Sequence, residues 1–328
     1  MKYTYLSYIR ILAIIFVVFY HSYCPYGQWG WIKTARSSFE IINHFLEPFV
    51  AMMPLLTFIS GFLFYSIRYK YTSFNYLLKK KFERLIIPMI LIGTIYYLMF
   101  ESTLSISIHT INSILSGYGV LWYCNMLFLC FVVAYPITKH IKTAYLKLLI
   151  LLISFGLIYI NVPAILGLNS LTHFFFYFYF GFVFSELVSK YKTLSSKKVV
   201  VIIGVLFVVN YILYEYNSIF EMNSKLMKIL SGNILRISFI LFIVLLLKKY
   251  EPKLKYTSVV RFLDQNSFGC YVFHYPVLYF LYKTKLFEIS SLNHYWYFPV
   301  CVFTISTVVA YAGTYLFRKS KVGVYLLG

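Results

Sequence analysis

A chain of 328 residues that is 61% hydrophobic and only 12% charged is too apolar for a soluble domain, which is nearer half apolar and a quarter charged. With a mean hydropathy of +0.75 and apolar runs of bilayer length recurring throughout, it reads as an all-α polytopic membrane protein; the alternating pattern of a membrane barrel is absent. The net charge of +20 would suggest nucleic acid in a soluble protein, but the basic residues fall in alternate loops, so topology accounts for them and no nucleic-acid partner is expected.

The pattern predicts a single membrane domain over 1–328, built from about ten spans. The first covers about 6–23. Its start resembles a signal peptide, but Tyr20, His21 and Tyr23 stand where a small-residue cleavage site would be, so it is expected to be retained. The second covers about 45–65, and Arg68, Lys70, Lys79, Lys80, Lys81 and Arg84 follow it. The third, about 85–100, has Pro88 in its first turn, where proline is tolerated. Spans at about 120–137, 146–160, 171–188, 199–214 and 234–247 come next. The ninth, about 267–282, has Ser267 or Asn266 as its expected helix cap. The tenth covers about 295–317. Basic clusters follow every even span, which places both termini in the cytoplasm.

Five cysteines (Cys24, Cys124, Cys130, Cys270 and Cys301) form no C-x-x-C motif and lie mostly in apolar spans. They read as small buried hydrophobes, with no disulfide framework and no metal site.

Ionisable residues at membrane depth are costly, so they are the first functional candidates. Arg10 and His21 are eleven residues apart in the first span. On a helix that is three turns plus roughly 20°, and a rise of roughly 16 Å, so both lie on one face near opposite ends. The pair suits a ligand with an anionic end and a reactive end on a long thin arm, as in acyl-coenzyme A. The structural alternatives are snorkelling for Arg10 and an interfacial hydrogen bond for His21. His274 lies deep in the ninth span, with Tyr271 one turn earlier on the same face. Lys81 and Arg84 are spaced to share a helical face at the inner mouth of the third span, as phosphate binders or as plain topology charges. Gly61, beside Ser60, would admit a close backbone or an acyl arm. Trp122 and Asn125 share a face early in the fourth span, where they would line a cavity, and Glu47 is placed to orient His21.

Together these residues resemble the type-3 acyltransferase family of integral membrane enzymes. Arg10 and His21 look like its Arg-x(10)-His signature. Ile59 to Phe64 (ISGFLF), Lys81 to Pro88 (KFERLIIP), Leu121 to Phe128 (LWYCNMLF) and Leu263 to Val277 (LDQNSFGCYVFHYPV) resemble its later segments in order. The MPLLTFISGF stretch is similar to the fucose 4-O-acetylase-like, exopolysaccharide-modifying branch, although Met52 stands where that branch has a His before Met-Pro. The resemblance implies a multi-pass protein of the bacterial cytoplasmic membrane. It implies transfer of an acyl group, usually acetyl, from cytoplasmic acyl-CoA to a sugar hydroxyl on a lipid carrier or polysaccharide, without a metal. Arg10, Lys81 and Arg84 would hold coenzyme phosphates, with Ser60 and Gly61 beside the arm. His21 would be the general base, Glu47 its orienting acid, and His274 and Tyr271 would position the thioester. Trp122 and Asn125 would meet the acceptor. A flippase for a lipid-linked sugar is the alternative from another class.

Overall fold

The computed structural model describes residues 3–23, 52–101, 107–219, 225–283 and 298–327. They form twelve helices: α1 (Thr4–Tyr23), α2 (Met52–Ile67), α3 (Phe74–Phe100), α4 (Ile108–Ser116), α5 (Trp122–His140), α6 (Ala144–Leu157), α7 (Leu168–Lys190), α8 (Lys197–Ile219), α9 (Lys225–Lys249), α10 (Ser258–Lys283), α11 (Phe298–Phe317) and α12 (Lys321–Leu327). A helix stands at each of the ten expected spans. Seven stretches among the described residues are long and apolar enough to cross a membrane. The chain packs as two compact units, one of residues 1–56 with 188–313 and the other of 57–187 with 314–328.

Two expected boundaries shift. The ninth span begins at Ser258 rather than Ser267. The Thr257 hydroxyl accepts from the Val260 N–H and makes the cap, while Ser267 sits inside the helix, donating to the Asp264 carbonyl. The polar stretch RFLDQN hides this first half from a hydropathy reading. The third span is also longer, because α3 runs unbroken from Phe74. Pro88 lies within it rather than at its start. Proline has no N–H for the Arg84 carbonyl, and the turn before it opens to a π turn over Phe82–Ile86, with the Ile87 N–H on the Phe82 carbonyl.

In the first unit, α8 pairs extensively with α9 and turns Val201, Ile202, Val205 and Ile212 outward, all exposed. An apolar face of that extent is stable only against lipid. α1 packs along α10. In the second unit the core is aromatic: Phe64 lies among Phe131, Phe178 and Phe182, with the Phe131 and Phe178 rings edge-on at 4.9 Å. Within it, α2 and α7 cross closely. A Cβ on Gly61 would overlap the Phe178 carbonyl, and one on Gly181 would overlap the Phe58 carbonyl. Each glycine thus admits the other helix's backbone, as packing in lipid favours.

Substituting either glycine tests this. Gly61→Ala and Gly181→Ala are each expected to cost about 1–3 kcal/mol by overpacking. The readout is a lowered unfolding temperature in nanodiscs. Two variants that melt like the wild type would show that the helices do not cross there.

Candidate functional site

The polar residues of α1 and α10 meet at three levels. At one end, the Asp264 carboxylate is almost completely buried. Its Oδ2 accepts from the Ser7 hydroxyl at 2.8 Å and from the Tyr256 hydroxyl at 3.1 Å. Its Oδ1 faces the Arg10 Nε at 3.4 Å. At the other end, His21 Nδ1 and His274 Nε2 are 2.8 Å apart, their rings nearly parallel. One level further, the Tyr282 hydroxyl donates to the Ser22 carbonyl. Contact positions rise together along both helices, so α1 and α10 run parallel.

The histidine pair fixes its own tautomers. The His274 Nδ1 lies 3.3 Å from the Cys270 carbonyl, one turn back along α10. A carbonyl only accepts, so Nδ1 carries the proton of the neutral ring and Nε2 offers its lone pair. The partner across 2.8 Å must then be an N–H, supplied by His21 Nδ1. His21 Nε2 is left as the lone-pair nitrogen, the atom a general base uses. His274 is fully buried and Tyr271 packs beside it, ring centres 5.8 Å apart. The first unit therefore gathers Arg10, His21, Tyr271 and His274 along one helix pair. Glu47 lies outside the described residues.

The other candidates belong to the second unit and separate by role. Lys81 is buried, with its Nζ 3.6 Å from the centre of the Phe131 ring and 5.4 Å from that of Tyr71. Arg84 is exposed. The π turn between them breaks the even spacing that an α-helix would give the pair. Ser60 hydrogen-bonds Tyr123, while Gly61 is filled by the crossing with α7. Asn125 donates to the Leu115 and Leu166 carbonyls at 3.1 and 2.9 Å, so it ties the last turn of α4 to the segment before α7. Trp122 packs on Phe174 and borders a polar cavity of about 280 Å³, shared with Asn112, Ser116, Tyr118, Asn169 and Ser170.

Asp264 is the acidic residue described in this seam, and sequence reasoning left it without a role. A signal was present: it precedes His274 by ten residues, nearly the interval that separates Arg10 from His21.

A family model for an acyltransferase domain, that of the acyltransferase 3 family, matches residues 3–318. The chain belongs to that family and is a membrane acyltransferase. No curated protein and no solved structure matches it.

Burial makes the Arg10–Asp264 pair asymmetric, since the Arg10 side chain is 37% exposed and the Asp264 side chain almost wholly buried. Arg10→Gln strands a buried charge and is expected to cost on the order of 3 kcal/mol. Asp264→Asn keeps the hydroxyl contacts and leaves a cation that reaches solvent, for about 1 kcal/mol. The double variant recovers part of the Arg10→Gln loss. Melting curves of the four proteins in nanodiscs check this; equal and additive losses would show that the two charges are not coupled.

Proposed function

We propose that this membrane acyltransferase moves an acyl group, acetyl in the simplest case, from cytoplasmic acyl-CoA to a hydroxyl of a cell-envelope or exported glycan, with His21 as general base. The observation that carries the reading is the tautomer chain from the Cys270 carbonyl through His274 to His21, which prepares a lone pair on His21 Nε2.

The reaction on this reading needs little more. Nε2 takes the proton of the acceptor hydroxyl as its oxygen bonds to the thioester carbon. The carbon–sulfur bond breaks, and the same proton passes to the departing thiolate, giving an ester and free coenzyme A. His274 accepts a hydrogen bond from His21 Nδ1–H throughout, which holds the ring and favours its transient positive charge. Tyr271, beside His274, is proposed to help place the thioester. The Nε of Arg10 faces Asp264 in an ion pair, and its terminal nitrogens are proposed to meet an anionic group of the donor.

For the acceptor, the cavity bordered by Trp122 has no carboxylate, lysine or arginine in its lining, and His109, amides and hydroxyls surround an indole. Apolar ring faces flanked by hydrogen-bonding groups suit a sugar, and this supports a glycan acceptor in the exopolysaccharide-modifying branch. Ser60, Lys81 and Arg84 remain proposed donor contacts. Gly61 is better explained by the helix crossing, and Asn125 supports the cavity by holding the end of α4 and the segment before α7. The family membership favours this enzyme over the flippase alternative.

The test is transfer of label from radiolabelled acetyl-CoA into lipid-linked or polymeric glycan. His21→Ala is expected to lose about 10²- to 10⁴-fold in rate. His274→Gln, whose side-chain carbonyl still accepts from His21 Nδ1–H, should retain more activity than His274→Leu. A fully active His21→Ala protein would remove the base assignment, and equal activities of the two His274 variants would remove the tautomer argument. Trp122→Ala should raise the acceptor KM about tenfold, on the scale of a lost aromatic contact; an unchanged acceptor KM would move the glycan elsewhere.

A further inference from the structure

At the basic end of the second unit, the turn after α2 and the last turn of α5 enclose a cavity of about 350 Å³. Arg68, Tyr69 and Tyr71 form one wall, and Tyr135, Lys139 and Lys142 form the other. Three cations and three phenol rings line it, with no carboxylate among the lining residues. The Tyr135 hydroxyl donates to the Tyr71 carbonyl at 3.4 Å and joins the two walls.

Two of the three cations are held in place. The Arg68 guanidinium lies 3.9 Å from the centre of the Tyr65 ring and donates to the Tyr65 carbonyl. Lys142 donates to the Thr138 carbonyl at 3.0 Å, at the end of α5. Tyr69 is 74% exposed, an open aromatic face beside that charge. The ring of Tyr71 lines this cavity and also lies near the buried Lys81 ammonium. The positive-inside rule explains the sign of the charge on this face. It does not explain a concave site that interleaves cations with tyrosines.

We propose that this cavity binds a purine nucleotide carrying several phosphates, namely the 3′-phosphorylated adenosine diphosphate end of the acyl-CoA donor. Arg68, Lys139 and Lys142 meet the phosphates, and Tyr69 offers a stacking face for the base. The proposal rests on acyl-CoA being the donor. It adds a recognition site that is separate from the chemistry, and it explains how a donor with a featureless arm is told from other thioesters. The headgroup of an anionic lipid has the same phosphate chemistry without the base.

The experiment compares acetyl-CoA with acetylpantetheine, which lacks the nucleotide, using the full-length protein in nanodiscs with and without anionic lipid. The triple variant Arg68→Gln, Lys139→Gln, Lys142→Gln is expected to raise the KM for acetyl-CoA at least about tenfold. The preference of the enzyme for acetyl-CoA over acetylpantetheine should shrink by the same factor. Inhibition of the wild type by adenosine 3′,5′-bisphosphate should weaken in parallel, and Tyr69→Ala should reproduce part of the effect. Equal changes for both donors would overturn the proposal. So would an effect seen only in nanodiscs that contain anionic lipid, which would give the cavity to a lipid headgroup. Transfer by the wild type from neither donor would overturn the acyl-CoA reading itself, and this proposal with it.

Discussion

A polar side chain within a bilayer has no water to turn to, so each must be satisfied by another part of the protein. The seam between α1 and α10 is arranged around that constraint. Ser7 and Arg10 answer Asp264, His21 answers His274, and the Ser22 carbonyl answers Tyr282. A rotation of either helix about its axis would break all of these contacts together, leaving unpaired polar groups in an apolar medium. The seam therefore fixes the phase of both helices, and with it the orientation of the His21 ring. On the proposed mechanism, the geometry of the base and membrane stability depend on the same bonds, so precision there needs no separate scaffold.

Most of the architecture was legible in the sequence, because hydropathy and charge alternation are direct physical consequences of crossing a membrane. Every expected span coincides with a helix. The failures came where a helix is not uniformly apolar. The first half of α10 carries Arg261, Asp264, Gln265 and Asn266, so its beginning read as a loop. Asp264 is polar because it meets Ser7 and Arg10 of α1, Asn266 bonds back to the Phe262 carbonyl, and Arg261 and Gln265 are exposed on a helix that continues through them. The π turn before Pro88 was hidden as well, since spacing arguments assume a constant 3.6 residues per turn.

The site was legible only to the extent that one helix can reveal it. The common face of Arg10 and His21 follows from their spacing, and α1 does turn both toward polar partners on α10. Their partners are 254 and 253 residues away in sequence, a separation no local pattern bridges. Chemical type also misled where packing used it. Gly61 read as room for a close backbone or an acyl arm, and that room holds the backbone of α7. Asn125 looked like a cavity residue, and its amide ties down two carbonyls. A small or polar residue at membrane depth signals that something approaches closely, without saying whether it is a ligand or the protein itself.

The charges point to a division of labour on the proposed donor. Asp264 largely cancels the field of Arg10 beyond contact distance, so Arg10 is poorly suited to attracting a polyanion from solution. It is well suited to orienting one already bound, because the pairing costs it rotational freedom in advance. Lys81 is similarly withdrawn against the Phe131 ring. The cations able to act at long range are those at exposed ends, such as Arg68, Lys139 and Lys142, which have no carboxylate beside them in their cavity. Attraction falls off over a screening length of about 8–10 Å at physiological salt, so it has to operate at the surface, where the donor arrives. Orientation is instead a contact effect, for which a guanidinium already facing a buried carboxylate is suited.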